Sequence, residues 1–248
     1  MKQILTLILL LWVNFLYAQD RRMVEPSSID TTMVLPGITL RLSPAEAQSM
    51  ESYLLPTALI DSLTKGIQNT HRYSRAIEQY QMKQFGNRMQ RTQKGLSLKL
   101  NNGSWQLIEV DPQTDEMDNV FEHYFEEFGY YSLRVQWGEG NGYKLVNAET
   151  GAITHLIGRP FFSPDGSRLI ALGNDIEAEY SPNGFELMEN VDGKISSLGR
   201  YNPGSWGCMS ALWLTNNSLV LHNQSLESKP DSGWGYFSFY TGLELIKP

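Results

Sequence analysis

The stretch Phe161-Phe162-Ser163-Pro164-Asp165-Gly166-Ser167-Arg168-Leu169-Ile170-Ala171-Leu172 decides the fold class. Two apolar runs flank a Pro-Asp-Gly turn, in which proline presets one backbone angle and glycine accepts the left-handed one. Phe185 to Glu189, the Asp192-Gly193 turn, Lys194 and Leu198 follow, giving the order strand, loop, strand, turn, strand. Leu212 to Leu221, Tyr236 to Tyr240, Gly242 and Leu243 to Ile246 repeat that order about 50 residues later. Tyr131 to Trp137, Gly142 to Asn147, Thr150-Gly151 and Ile153 to Leu156 fit the later strands of the same unit. Leu96 to Leu100, the turn Asn101-Asn102-Gly103 and Trp105 to Val110 make one more hairpin upstream. Residues 96–248 thus read as an antiparallel β domain.

The N-terminal side has a different period. Ile38 to Leu42 alternates, and Ser43-Pro44-Ala45-Glu46 forms a capping box that predicts a helix carrying Ala47, Met50 and Leu54. Pro56 opens a second short helix with Leu59, Ile60, Leu63 and Ile67 on one face. Residues 72–90 predict a third, with Tyr73, Ala76, Ile77, Tyr80, Phe85 and Met89 at intervals of three and four. Residues 38–95 are therefore expected as a helical N-terminal segment, preceded by a linker over 19–37. Residues 1–18 combine Lys2, an apolar run from Ile4 to Val13 and the small residue Ala18, the anatomy of a secretory signal peptide. That run is too short for a bilayer, which needs about 20 apolar residues. The expectation is export to the periplasm or outer surface of a Gram-negative bacterium, and not an integral membrane protein.

Phe162 to Gly166 followed by Arg168 to Leu172 resembles the strand-turn-strand core of WD40-like, TolB-type β-propeller repeats. The resemblance spans about residues 160–198. It implies a mainly β, propeller-like domain in which the Ser-Pro-Asp-Gly turn joins two strands of a blade and sets its aromatic against the next blade. The motif specifies a hairpin and says little of function. Leu214-Thr215-Asn216-Asn217 stands where the second unit would carry the same turn. Residues 96–248 supply 153 positions, room for three to four blades at roughly 40 each, so the ring is expected to be minimal or incomplete, with a two-sheet sandwich as the other solution.

Of 248 residues, 41% are hydrophobic and 19% charged, enough to bury a core, and the formal charge of −7 argues against a general nucleic-acid binder. Cys208 is the one cysteine, so neither an internal disulfide nor a cysteine-based zinc site forms. Charge is segregated: residues 65–99 hold eight Lys and Arg against Glu78, and residues 109–127 hold eight acids with no Lys or Arg. Two functional patches, two solvated faces, or two segments that face each other within the molecule explain this pattern. His123-Tyr124-Phe125-Glu126-Glu127 has half of a zinc-helix motif but lacks its second histidine, and His71, His155 and His222 are scattered. Pro203-Gly204-Ser205-Trp206-Gly207 approaches a nucleophile elbow, yet no helical pattern follows it.

Aromatics stand beside glycines in the loops, where such rings stack on sugars or anchor a protein. Trp137, Trp206 and Trp234, with Glu139 in the Gly138–Gly142 turn, are the candidate binding residues. No set of nucleophile, base and orienter is legible, and no cofactor is expected. The expectation is an exported binding or scaffolding protein for a protein or glycan of the cell envelope. The alternative is a hydrolase of an envelope polymer that uses Glu122 and Glu126 with His123.

Overall fold

A computed structural model describes residues 29–50, 52–178, 180–229 and 233–246. The leader and most of the expected linker lie outside these residues. The described chain is mainly β, with sixteen strands in four antiparallel sheets and two helices. The first sheet holds β3 (Met89–Thr92), β4 (Gly95–Lys99) and β5 (Trp105–Ile108); the second holds β6 (Glu116–Phe125), β7 (Tyr130–Trp137), β8 (Asn141–Asn147) and β9 (Ile153–Leu156). In the third are β10 (Arg159–Phe162), β11 (Arg168–Gly173), β12 (Gly184–Val191) and β13 (Lys194–Tyr201). The fourth joins β14 (Trp206–Thr215), β15 (Ser218–Lys229) and β16 (Gly233–Ile246) to β2 (Ile38–Pro44) and β1 (Thr31–Leu35), in the order β1-β2-β16-β15-β14.

The two-residue period of the strands decides how the sheets stack. From the second sheet, Tyr131, Leu133, Val146 and Ala148 pack with Met89, Leu96, Leu98 and Ile108 of the first. On its other face, Tyr130, Leu145 and Leu156 meet Leu169, Ala171 and Met188 of the third. Ile170, Leu172, Phe185 and Leu187 then meet Leu40, Leu42, Leu219, Leu221 and Leu243 of the fourth. Leu169-Ile170-Ala171-Leu172 is an unbroken apolar run because both of its faces are covered. Among the described residues no core cluster joins the first sheet to the fourth, and no closed ring of sheets is present.

The turn at the heart of the sequence is built as its residues dictate. Asp165 accepts hydrogen bonds from Ser163 Oγ (2.8 Å), Ser167 N (3.0 Å) and Ser167 Oγ (2.7 Å). Gly166 has φ +68°, and a Cβ there would lie 2.4 Å from the ring of Phe128, which comes from the second sheet. The equivalent turn of the fourth sheet touches it: Asn216 Oδ1 accepts from Asp165 N, and Arg168 donates to Asn216 O and Asn217 Oδ1.

The helices are α1 (Thr57–Thr64) and α2 (Thr70–Phe85), close to the second and third expected ones. The helix expected from the Ser43 capping box does not form. Ser43 and Pro44 end β2, paired with Gly242 and Thr241 of β16, and cross-strand bonding there outweighs a local cap. Gly242, expected at a turn, lies inside β16. Part of the expected linker is also ordered, since Pro36 and Gly37 (φ +73°) turn β1 back onto β2.

Helix α2 repairs a defect in the second sheet. Glu122 is an extra residue in β6, where the register slips between Phe121 and His123, and a bulge of this kind leaves backbone groups unpaired. Phe121 N donates to Glu78 Oε2 at 2.7 Å, and Gln81 Nε2 donates to Glu122 O at 3.0 Å. Fully buried Glu78 also holds Arg75 and Arg91, and Arg91 reaches Asp118 at 2.9 Å. Thus the basic and acidic segments partly face each other inside the molecule. No described helix is long and apolar enough to cross a membrane.

Candidate functional site

A cleft of about 490 Å³ opens where the second, third and fourth sheets converge. Its wall comes from β7 and β8, where Arg134 and Tyr143 are direct cross-strand partners and so stand side by side on the face toward the third sheet. Arg159, the first residue of β10, completes this wall. Asn174, Asp175, Ala178, Tyr180 and Ser181 form the opposite side, and Cys208 and Met209 of β14 close it.

Hydrogen bonds hold the rim in place. Asp175 accepts from Ser181 N (2.8 Å) and Ala178 N (3.3 Å), and Ser181 Oγ donates to Asn141 O (3.1 Å), tying the β11–β12 loop to the β7–β8 turn. Behind the wall, Arg159 makes a two-point contact with the buried Glu122 carboxylate (Nη2 to Oε1 2.8 Å, Nε to Oε2 3.3 Å). Its guanidinium also lies 5.7 Å from the Tyr143 ring centroid. Burial raises the Tyr143 phenol against the pull of Arg159, so it stays neutral and able to donate. Tyr53 inserts from the N-terminal side against Phe125, Phe161 and His123, and burial followed by the Glu122 charge pushes its hydroxyl well above the tyrosine range.

The sequence-predicted residues scatter around this cleft. Glu139 lines it. Trp137 folds over its own turn, within 2.7 Å of a Cβ built at Gly142, and is not among the residues that line the cleft. Trp206 is 3% exposed and packs on Tyr201 and Phe239, a core residue two positions before the lining Cys208. Trp234, 50% exposed, sits on β16 near the end of the β15–β16 hairpin, outside the lining. Nearby Tyr236 has its phenol raised by Glu177, which sets that hairpin near the β11–β12 loop.

The residues of the hydrolase alternative separate. Glu122 is committed to Arg159, while His123 and Glu126 line another depression with Phe85 and Phe128. Burial lowers His123 to about 4, so its imidazole is neutral at pH 7. Cys208 is raised above the thiol range by burial and stays protonated. The Pro203–Gly207 segment runs directly into β14 rather than into a helix. Among the described residues no group of three His, Cys, Asp or Glu side chains is placed to hold a metal ion.

Sequence reasoning missed Arg134, Tyr143 and Arg159. The available signal was a charge at Arg134 within Tyr130–Trp137, a strand whose two faces both had to be covered. The sequence matches no protein-family model, and a comparison with curated proteins found no match.

Proposed function

We propose that this chain is an exported binding protein that recognises a protein or glycan of the cell envelope in the cleft walled by Arg134, Tyr143 and Arg159. The observation that carries this reading is a pinned, ligand-sized concavity lined by convergent polar groups, two tyrosine rings and two guanidiniums. Rigid strands supply the wall and hydrogen-bonded loops the rim, the usual division between scaffold and recognition. The scaffold reads as an incomplete propeller: successive sheets stack face to face in chain order, and β1 and β2 complete the last one. In this reading Glu139 contributes to the lining, and Trp206 belongs to the scaffold.

The test immobilises residues 19–248, applies solubilised envelope peptide and glycan fractions, and weighs both retained and unretained material. Specific retention that is lost in Tyr143→Ala, with the applied material unchanged in mass, supports binding at the cleft. Retention unaffected by Tyr143→Ala overturns the cleft as the site. Shortened material that depends on His123 overturns the binding reading in favour of the hydrolase.

A further inference from the structure

We infer that the cleft takes a small ligand through a single carboxylate, with Arg134 as its main partner and Arg159 and Tyr143 beside it. This rests on the reading of the cleft as a binding site. Arg134 is 6% exposed, and among the described residues no carboxylate lies within ion-pair distance of it. Other buried cations are matched: Lys144 holds Glu116 at 2.7 Å, and Arg91 holds Glu78 and Asp118. Arg134 instead has a neutral acceptor, Gln136 Oε1 at 2.7 Å, with Tyr143 beside it as its cross-strand partner. A guanidinium has five N–H donors and does not deprotonate, so an uncompensated one is retained against a large desolvation penalty. Its place in the cleft wall lets a ligand supply the anion that the described residues do not place beside it.

The local charge selects the class of anion. Arg134 and Arg159 bring two positive charges, and Glu122 cancels one of them. Glu139 and Asp175 line the same cleft and make its five charged groups net negative, so the positive charge is local to the Arg134 wall, where a carboxylate suits the two-point geometry of a guanidinium. A phosphate dianion would leave excess negative charge beside Glu139 and Asp175, which line the same cleft. Those acids, with Ser181 and Asn174, suit hydroxyl, amide or ammonium donors on the rest of the ligand. The free terminus of a short peptide and a sugar acid both carry this chemistry.

Calorimetric titration separates these sources. The probes are acetyl-dialanine, its C-terminal amide, galacturonate, galactose and inorganic phosphate; the proteins are residues 19–248, Arg134→Gln, and Lys94→Gln as a surface control. At least one acid should bind at least about tenfold more tightly than its neutral counterpart and more tightly than phosphate. Arg134→Gln should remove that preference while Lys94→Gln keeps it, and whichever acid binds names the source. A merely structural Arg134 would lower stability when replaced, so the urea midpoint of Arg134→Gln should equal or exceed that of the parent. Equal binding of acid and neutral probes, abolished by Tyr143→Ala, overturns the carboxylate and leaves cleft binding standing. Preference for phosphate, or binding of no acid, also overturns the inference, while cleft binding is still judged separately by envelope retention.

Discussion

Replacing Glu78 by glutamine perturbs the best-connected buried charge among the described residues. Its carboxylate is fully buried and accepts from Arg75, from Arg91 at 2.7 and 2.6 Å, and from the bulged backbone at Phe121 N at 2.7 Å. An amide at this position removes the negative charge and turns an N–H₂ group toward donors. Breaking one side of a buried ion pair costs about 3–5 kcal/mol, because the remaining charge stays desolvated. For a chain of this size that is a Tm lowered by about 6–20 °C. The urea midpoint should fall by at least about 1 M, read by tryptophan fluorescence. Arg91 keeps Asp118, so the double variant Glu78→Gln with Arg91→Gln should cost less than the sum of the two single ones by at least about 1 kcal/mol. A loss under about 1 kcal/mol for Glu78→Gln, or simple additivity, would refute the idea that this network anchors α2 on the second sheet.

Three further outcomes are expected. Trp206→Ala should cost about 3–5 kcal/mol in denaturant unfolding, since its ring packs within the core of the third and fourth sheets; a loss below about 1 kcal/mol would place the ring outside that core. Gly166→Ala should cost at least about 1–2 kcal/mol from the left-handed backbone alone, with more from displacing Phe128, as measured by thermal unfolding. His123 is depressed to about 4 in the folded chain, so the unfolded state binds the extra proton first. Its contribution is complete above about pH 6.5 and is lost as pH falls toward 4, by up to about 3 kcal/mol. An imidazole NMR titration with a midpoint near 6.5, or a His123→Phe variant with an unchanged acid slope, would contradict this.

The hairpins after Leu96 were legible because turn residues and two-residue alternation act locally. Asn101-Asn102-Gly103, Glu149-Thr150-Gly151, Ser163-Pro164-Asp165-Gly166 and Asp192-Gly193 all join neighbouring strands. β6 was hidden because its acids made an almost fully covered strand look like surface; Glu116, Asp118 and Glu122 each have a cation that the sequence alone does not pair with them. The false helix at Ser43 failed for a related reason, since the partner of β2 lies some 200 residues away in β16. Glu139 was singled out from its loop and lines the cleft. The Arg134–Tyr143 pair was not, because its position depends on strand register and on which face meets the third sheet.

The most direct test of the cleft as the binding site is hydrogen exchange on residues 19–248, alone and with the envelope fraction that the chain retains. Protection should appear in peptides spanning Arg134–Tyr143, Ile157–Arg159 and the region around Asp175. Protection confined to the Trp234–Phe237 region, with those three unchanged, would contradict it.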